Sequence, residues 1–168
     1  MTTNLPVGRA FVFGDNIDTD VLAPGSLMKL APAELAKHCL TAINPDFARD
    51  VRPGDVLVAG ANFGLGSSRE QAAVSLKLLG VRAVLATSFA RIFWRNAINL
   101  GLPALVFPQA GEVRAGDRLS VDVGAGRVEN ITQARGYDIQ PLPEHLMAMI
   151  ADGGLIAHLK HRLKANAA

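Results

Sequence analysis

A chain of 168 residues, 49% hydrophobic and 19% charged, is long enough for one packed domain and too apolar for a disordered one. Its 17 Lys and Arg against 15 Asp and Glu leave a net charge of +2, which argues against a charge-driven grip on nucleic acid or membrane; 5% aromatic residues argue against a base-stacking platform. Cys39 is the only cysteine, which excludes an internal disulfide and, by itself, a zinc or iron–sulfur site.

The N-terminus, Met1-Thr2-Thr3-Asn4, carries no charged-then-apolar signal pattern, and no run approaches a membrane span, so a reduced cytoplasmic setting is expected. Residues 9–13 are apolar and predict a first strand, broken by the turn cluster Gly14-Asp15-Asn16. Ile17-Asp18-Thr19-Asp20 follows, placing Asp15, Asp18 and Asp20 close together; an Asx-rich surface loop is the plain reading. Residues 26–30 are short and irregular, and Pro32 starts a helix running to Leu40. Phe47 tucks a loop against the core. The turn Val51-Arg52-Pro53-Gly54-Asp55 leads into the strand Val56-Leu57-Val58-Ala59 and recurs as Val113-Arg114-Ala115-Gly116-Asp117 before Leu119.

After Ala59 comes Gly60-Ala61-Asn62-Phe63-Gly64-Leu65-Gly66-Ser67-Ser68-Arg69-Glu70, then a helix from Gln71 to Leu79 with Gly80 as its stop. Ser67 to Glu70 spells Ser-x-x-Glu, the capping box of a helix N-terminus. Residues 83–87 predict a strand, Ser88 a cap for a helix over residues 89–100, and residues 103–107 another strand. Strand–helix–strand–helix–strand argues for parallel pairing with helices over the sheet. Beyond it, residues 117–123 and 127–131 read as a hairpin around Gly124-Ala125-Gly126, residues 137–140 as a further strand, and residues 143–150 as a helix. Gly153-Gly154 interrupts, and residues 155–168 form a basic helical tail with His158, Lys160, His161, Arg162 and Lys164.

Several motifs fail on inspection. Gly64-Leu65-Gly66 lacks the third glycine of a dinucleotide fingerprint, Gly66 is followed by serine rather than the Lys of a phosphate-binding loop, and neither serine has the glycine of a nucleophile elbow. His38, His145, His158 and His161 show no metal-ligand spacing with carboxylates. What remains is a glycine loop with Ser67, Ser68 and Arg69 at a helix start. Uncapped N–H groups and the positive helix end favour an anion there, the glycines let a ligand approach the backbone, and Arg69 offers a bidentate grip on a carboxylate. Three readings stay open on these residues: an enzyme subunit, a non-catalytic anion-binding module and a serine hydrolase.

Three stretches together resemble one family. Gly14-Asp15-Asn16-Ile17-Asp18-Thr19-Asp20, the Gly60-to-Glu70 motif, and Ser88-Phe89-Ala90-Arg91-Ile92-Phe93-Trp94-Arg95-Asn96-Ala97-Ile98-Asn99 look like those of 3-isopropylmalate dehydratase small subunits, the separate-chain form of the aconitase swivel domain. The likeness covers about residues 7–150. It implies an α/β fold, a three-layer ββα swivelling domain with a mixed, largely parallel sheet and flanking helices, spanning residues 1–168 as one domain. It implies a hydro-lyase that isomerises 2- and 3-isopropylmalate in leucine biosynthesis, active only with a large subunit that carries a [4Fe–4S] cluster. By motif match Ser67 is the base, Ser68 and Arg69 hold the substrate carboxylate, and Asp20 lies in the same site. Lys29, with Met28 and Leu30 beside it, stands where relatives carry the arginine that reads the substrate's variable end; a branched alkyl group is favoured, with dimethylmalate, methylmalate or homoaconitate-type substrates as alternatives. One conflict is built in. A Ser67 hydroxyl spent on its own helix is not free to act as a base.

Overall fold

Two four-residue runs without a polar side chain, Val56–Ala59 (β2) and Ala83–Ala86 (β3), lie at the centre of the sheet's parallel half and are buried along their whole length. Such runs fit parallel strands covered on both faces. With β1 (Val7–Val12) and β4 (Ala104–Val106) they form a parallel block in the order β4-β3-β2-β1. The chain then pairs β5 (Arg118–Asp122) antiparallel with the free side of β1 and continues outward through β6 (Arg127–Asn130) and β7 (Arg135–Asp138). The structure, a computed structural model, describes residues 6–167, so the reading of Met1-Thr2-Thr3-Asn4 lies outside the described residues.

Alternate side chains of the parallel strands feed two cores. Leu57, Ala59, Val84 and Ala86 join one cluster with Leu22, Leu35, Phe47, Leu76 and Phe93. Val56, Val58, Ala83 and Leu85 join the other with Leu119, Val121, Val128 and Tyr137. Helices therefore cover one face of the parallel block and the curled antiparallel strands cover the other. This is the expected three-layer ββα arrangement, with parallel and antiparallel pairs in equal number. Phe47 is fully buried and meets Phe11 and Phe13 edge-on at 5.1 and 5.6 Å, as its place in the sequence suggested.

The helices differ from expectation at several of their ends. Asp18 caps a short helix, α1 (Thr19–Leu22), where a plain loop was expected. The Pro32 helix, α2, ends at Ala36, and turns continue to Leu40, whose φ of +62° is left-handed. A further short helix, α3 (Phe47–Asp50), precedes β2. The next helix, α4, spans Gln71–Leu78, and Gly80 follows it with φ +86° as expected. Then α5 runs over Arg91–Asn99, two residues later than predicted, without a side-chain cap. The strand expected at residues 137–140 sits two residues earlier, at Arg135–Asp138. Last come α6 (Glu144–Ala151) and α7 (Leu155–Asn166), joined through Gly153 and Gly154, both with positive φ. No described helix is long and apolar enough to cross a membrane.

Candidate active site

Three loops leave the carboxyl ends of β1, β2 and β3, the edge of a parallel sheet where ligands bind. They are stitched side by side. The first and second are joined by Gly60 N–H to Gly14 O, Asn16 N–H to Ala61 O, Gly64 N–H to Ile17 O and Thr19 N–H to Leu65 O. The second and third are joined by Phe63 N–H to Ser88 O and Ala90 N–H to Phe63 O. The Phe63 ring, fully buried, meets Phe93 at 5.0 Å and Phe89 at 6.0 Å, both edge-on. The motif loop is thus held on both flanks by backbone bonds and beneath by aromatic packing.

This stitching corrects three expectations. A Cβ on Gly60 would overlap the Asp15 carboxylate, and one on Gly64, at φ +82°, would overlap the Phe93 ring. These glycines make room for protein rather than for a ligand. The Ser88 hydroxyl accepts from Asn62 N–H at 2.8 Å, which removes it as a helix cap. Ser67 is not a cap either. The first residue of α4 is Gln71, the flanking Glu70 supplies no side-chain cap, and the Ser67 hydroxyl stays clear of the Glu70 amide. The conflict between cap and base therefore disappears.

Ser67 and Ser68 are both exposed. Ser67 Oγ stands 3.0 Å from Thr19 Oγ1 and accepts a long bond, 3.4 Å, from the Arg69 backbone N–H. The Ser68 carbonyl accepts from Asn96 Nδ2 at 3.4 Å, which links the loop to α5. Arg69 Nη1 donates to Asp20 Oδ1 at 3.0 Å and to Ala23 O at 3.1 Å. Asp20 also accepts the Gly25 N–H at 2.8 Å, and that amide together with the Arg69 guanidinium holds its carboxyl below the usual range. The uncapped start of α4 adds positive potential to the same spot.

Ser67, Ser68, Arg69 and Asp20 thus converge from two loops. Lys29 does not join them. It lies exposed on the loop that opens with the 3-10 turn Gly25–Leu27. That loop borders the site at Gly25, where a Cβ would sit 3.0 Å from Arg69 Nη2. Met28, expected to line the variable end, is half-buried against the helix-side core, while Leu30 is exposed beside Lys29.

Of the three clustered aspartates, two have structural tasks. Asp15 accepts the Ala61 N–H at 2.7 Å and Asp18 the Val21 N–H at 2.8 Å, which leaves Asp20 facing the open site. Thr19, between Asp18 and Asp20, and Asn96 are the site residues that sequence reasoning passed over. The only signal for Thr19 was a hydroxyl inside the Asp-Thr-Asp run; its partner lies 48 positions away.

A metal cluster does not fit this chain's donors. Cys39 is fully buried and burial pushes its thiol far above the ordinary range; no group of three or more His, Cys, Asp or Glu side chains among the described residues could hold an ion. His158 and His161 instead share one oxygen of Asp152, at 2.6 and 3.3 Å, between α6 and α7.

The chain as a whole has relatives of known name. The model of the aconitase C-terminal domain matches residues 36–110, which contain the second and third loops. The 3-isopropylmalate dehydratase small subunit of Nautilia profundicola is 46% identical over 97% of this chain and 99% of its own. The methanogen homoaconitase small subunit of Methanothermobacter thermautotrophicus is 46% identical over 90% of this chain and 88% of its own. The crystal structure of a 3-isopropylmalate dehydratase from Methanocaldococcus jannaschii superposes with a TM-score of 0.92 at 40% identity, covering 97% of this chain and 98% of that one. Identity carried over nearly the whole length, on the same fold, leaves one assignment: the chain belongs to the 3-isopropylmalate dehydratase small-subunit family of aconitase-type hydro-lyases.

Proposed function

We propose that this chain, acting as one swivel domain over residues 1–168, is the small-subunit half of a cytoplasmic enzyme that interconverts 2- and 3-isopropylmalate by removing and re-adding water. The observation that carries the reading is the exposed Ser67 hydroxyl, free of helix capping and held beside the Arg69–Asp20 pair. Ser67 takes the proton from a substrate carbon; that C–H electron pair becomes the double bond as hydroxide leaves the neighbouring carbon. In the return step hydroxide adds at the carbon that lost the proton, and Ser67 gives its proton to the other. A serine hydroxyl is a very weak acid, so its ionised form needs donors and positive potential aimed at it in advance. Ser68 and the Arg69 guanidinium bind a substrate carboxylate, and Asp20 aligns the guanidinium.

Nothing in this group accepts a departing hydroxide. A [4Fe–4S] cluster on the large subunit would supply the Lewis acid for it. In this reading Leu30 and Lys29, exposed on the bordering loop, serve the substrate's variable end. An apolar Leu30 suits a branched alkyl group. The test is turnover by the chain alone and after reconstitution with its large subunit, on 2-isopropylmalate and on homoaconitate. No turnover alone and at least tenfold higher kcat/KM for 2-isopropylmalate with the partner is the expected result. The reverse preference would assign Lys29 to an additional carboxylate and overturn the substrate reading.

A further inference from the structure

Thr19 is the most deeply buried polar group at the site, 3% exposed, yet its hydroxyl reaches the exposed Ser67. Two contacts define it. Ser67 N–H donates to Thr19 Oγ1 at 3.0 Å, and the two hydroxyl oxygens are also 3.0 Å apart. The approach is built in, because a Cβ on Gly66 would come to 3.0 Å from Thr19 Oγ1. Thr19 is itself fixed as the first residue of α1, its N–H bonded to Leu65 O and its β-branched side chain restricted in rotation.

A threonine hydroxyl has one proton and two lone pairs. The Ser67 amide occupies one lone pair. Either oxygen of the hydroxyl pair can be the donor while Ser67 is neutral. Once Ser67 is ionised it has no proton to give, so only Thr19 can donate. Ser67 Oγ then receives two bonds, from the Thr19 hydroxyl and from the Arg69 amide. We infer that Thr19 is a positioning residue whose buried hydroxyl, clamped by the Ser67 amide, donates to Ser67 Oγ and stabilises its ionised form as the base. This rests on Ser67 being the base. Preorganised donors of this kind, aimed where negative charge develops, typically contribute about a hundredfold or more in turnover each.

The experiment uses the reconstituted two-subunit enzyme carrying Thr19→Val, Thr19→Ser or Thr19→Cys, with Ser67→Ala in parallel, each checked for a native thermal midpoint. Thr19→Val should lower kcat about a hundredfold, leave KM within about threefold and move the limb that reports the ionised base to higher pH. Thr19→Ser, which keeps the donor, should recover kcat to within about fivefold of the natural chain. Should Thr19→Val not fold, Thr19→Cys carries the test, since a thiol donates weakly; a tenfold or larger drop in kcat is expected. A wild-type kcat for the folded Val or Cys variant, or a Ser variant as slow as Val, overturns the inference. An active Ser67→Ala enzyme removes the base itself, whereas an inactive Ser67→Ala beside a normal Thr19→Val removes Thr19 alone.

Discussion

Aspartates stand at two places along strand β1, and the fold treats them in opposite ways. Beside Arg9 and Ala10, Asp55 flanks the strand on one edge and Asp117 on the other, each closing a Val-Arg-x-Gly-Asp turn. The glycines sit at φ +97° and +87°, and each carboxylate accepts the N–H of the arginine three residues before it, at 2.8 and 2.9 Å. Asp55 also takes the Arg9 amide and guanidinium; Asp117 takes Asn130 Nδ2 and Gln133 Nε2. Both are buried, at 5% and 4% exposure. Beyond the other end of β1, Asp20 leaves 69% of its side chain exposed and shares a guanidinium with open solvent. A buried carboxylate with every donor in place holds two strands together. The exposed one joins only the Gly25 amide and the Arg69 guanidinium and leaves most of its surface free, which suits the ligand-binding role proposed for it.

Variants can break that contrast from either side. The largest effect expected is on chemistry: Ser67→Ala in the reconstituted enzyme should lower turnover by about a thousandfold or more, as loss of a general base does. Near-normal turnover would remove Ser67 from the reaction. Next is Asp117→Ala, which strands the Asn130 and Gln133 amides and the Arg114 N–H. A cost of about 3 kcal/mol is expected for buried donors left without a charged acceptor, seen as a fall of about 6–12 °C in thermal midpoint. A shift under 2 °C would show that the turn is held by its backbone alone.

The smallest effect is a pH dependence. Burial pushes the Asp117 carboxyl up, but the Arg114 amide and the Asn130 and Gln133 side chains more than offset it, leaving it below the usual carboxylate range. A carboxyl lowered in the folded state contributes stability that is present above its unfolded value, about 4, and is lost as pH falls through the folded value. Denaturant midpoints measured from pH 6 down to pH 2 should therefore fall less steeply for Asp117→Asn than for the natural chain. Parallel curves would assign the acid sensitivity elsewhere.

The closed region was legible in the sequence and the open one only in part. The repeated Val-Arg-x-Gly-Asp turn announces itself because its bonds are local, spanning three residues, and the four-residue apolar runs of β2 and β3 have no other way to be buried. Ser67, Ser68, Arg69 and Asp20 were identified from their motifs, and the structure brings them together. Local rules misled at the helix starts. Ser67 and Ser88 both look like caps, but their hydroxyls are engaged by loops 48 and 26 residues distant, and no local pattern reports such partners. The glycines of the motif loop suggest space for a ligand, whereas Asp15 and Phe93 occupy it at Gly60 and Gly64. Met28 packs with its neighbour Leu27 against the helix-side core, while Lys29 and Leu30 stay exposed. Thr19 and Asn96 lie inside the quoted motifs, but only the contacts between the loops single them out.

The contrast between the two regions is tested most directly by the thermal midpoint of the isolated Ser67→Ala, Arg69→Lys double variant, read beside its turnover after reconstitution. Side chains kept for chemistry can be replaced without cost to the fold. The midpoint should stay within about 2 °C of the natural chain while turnover falls to background. A midpoint loss as large as that of Asp117→Ala, or turnover that survives the double change, would contradict the account.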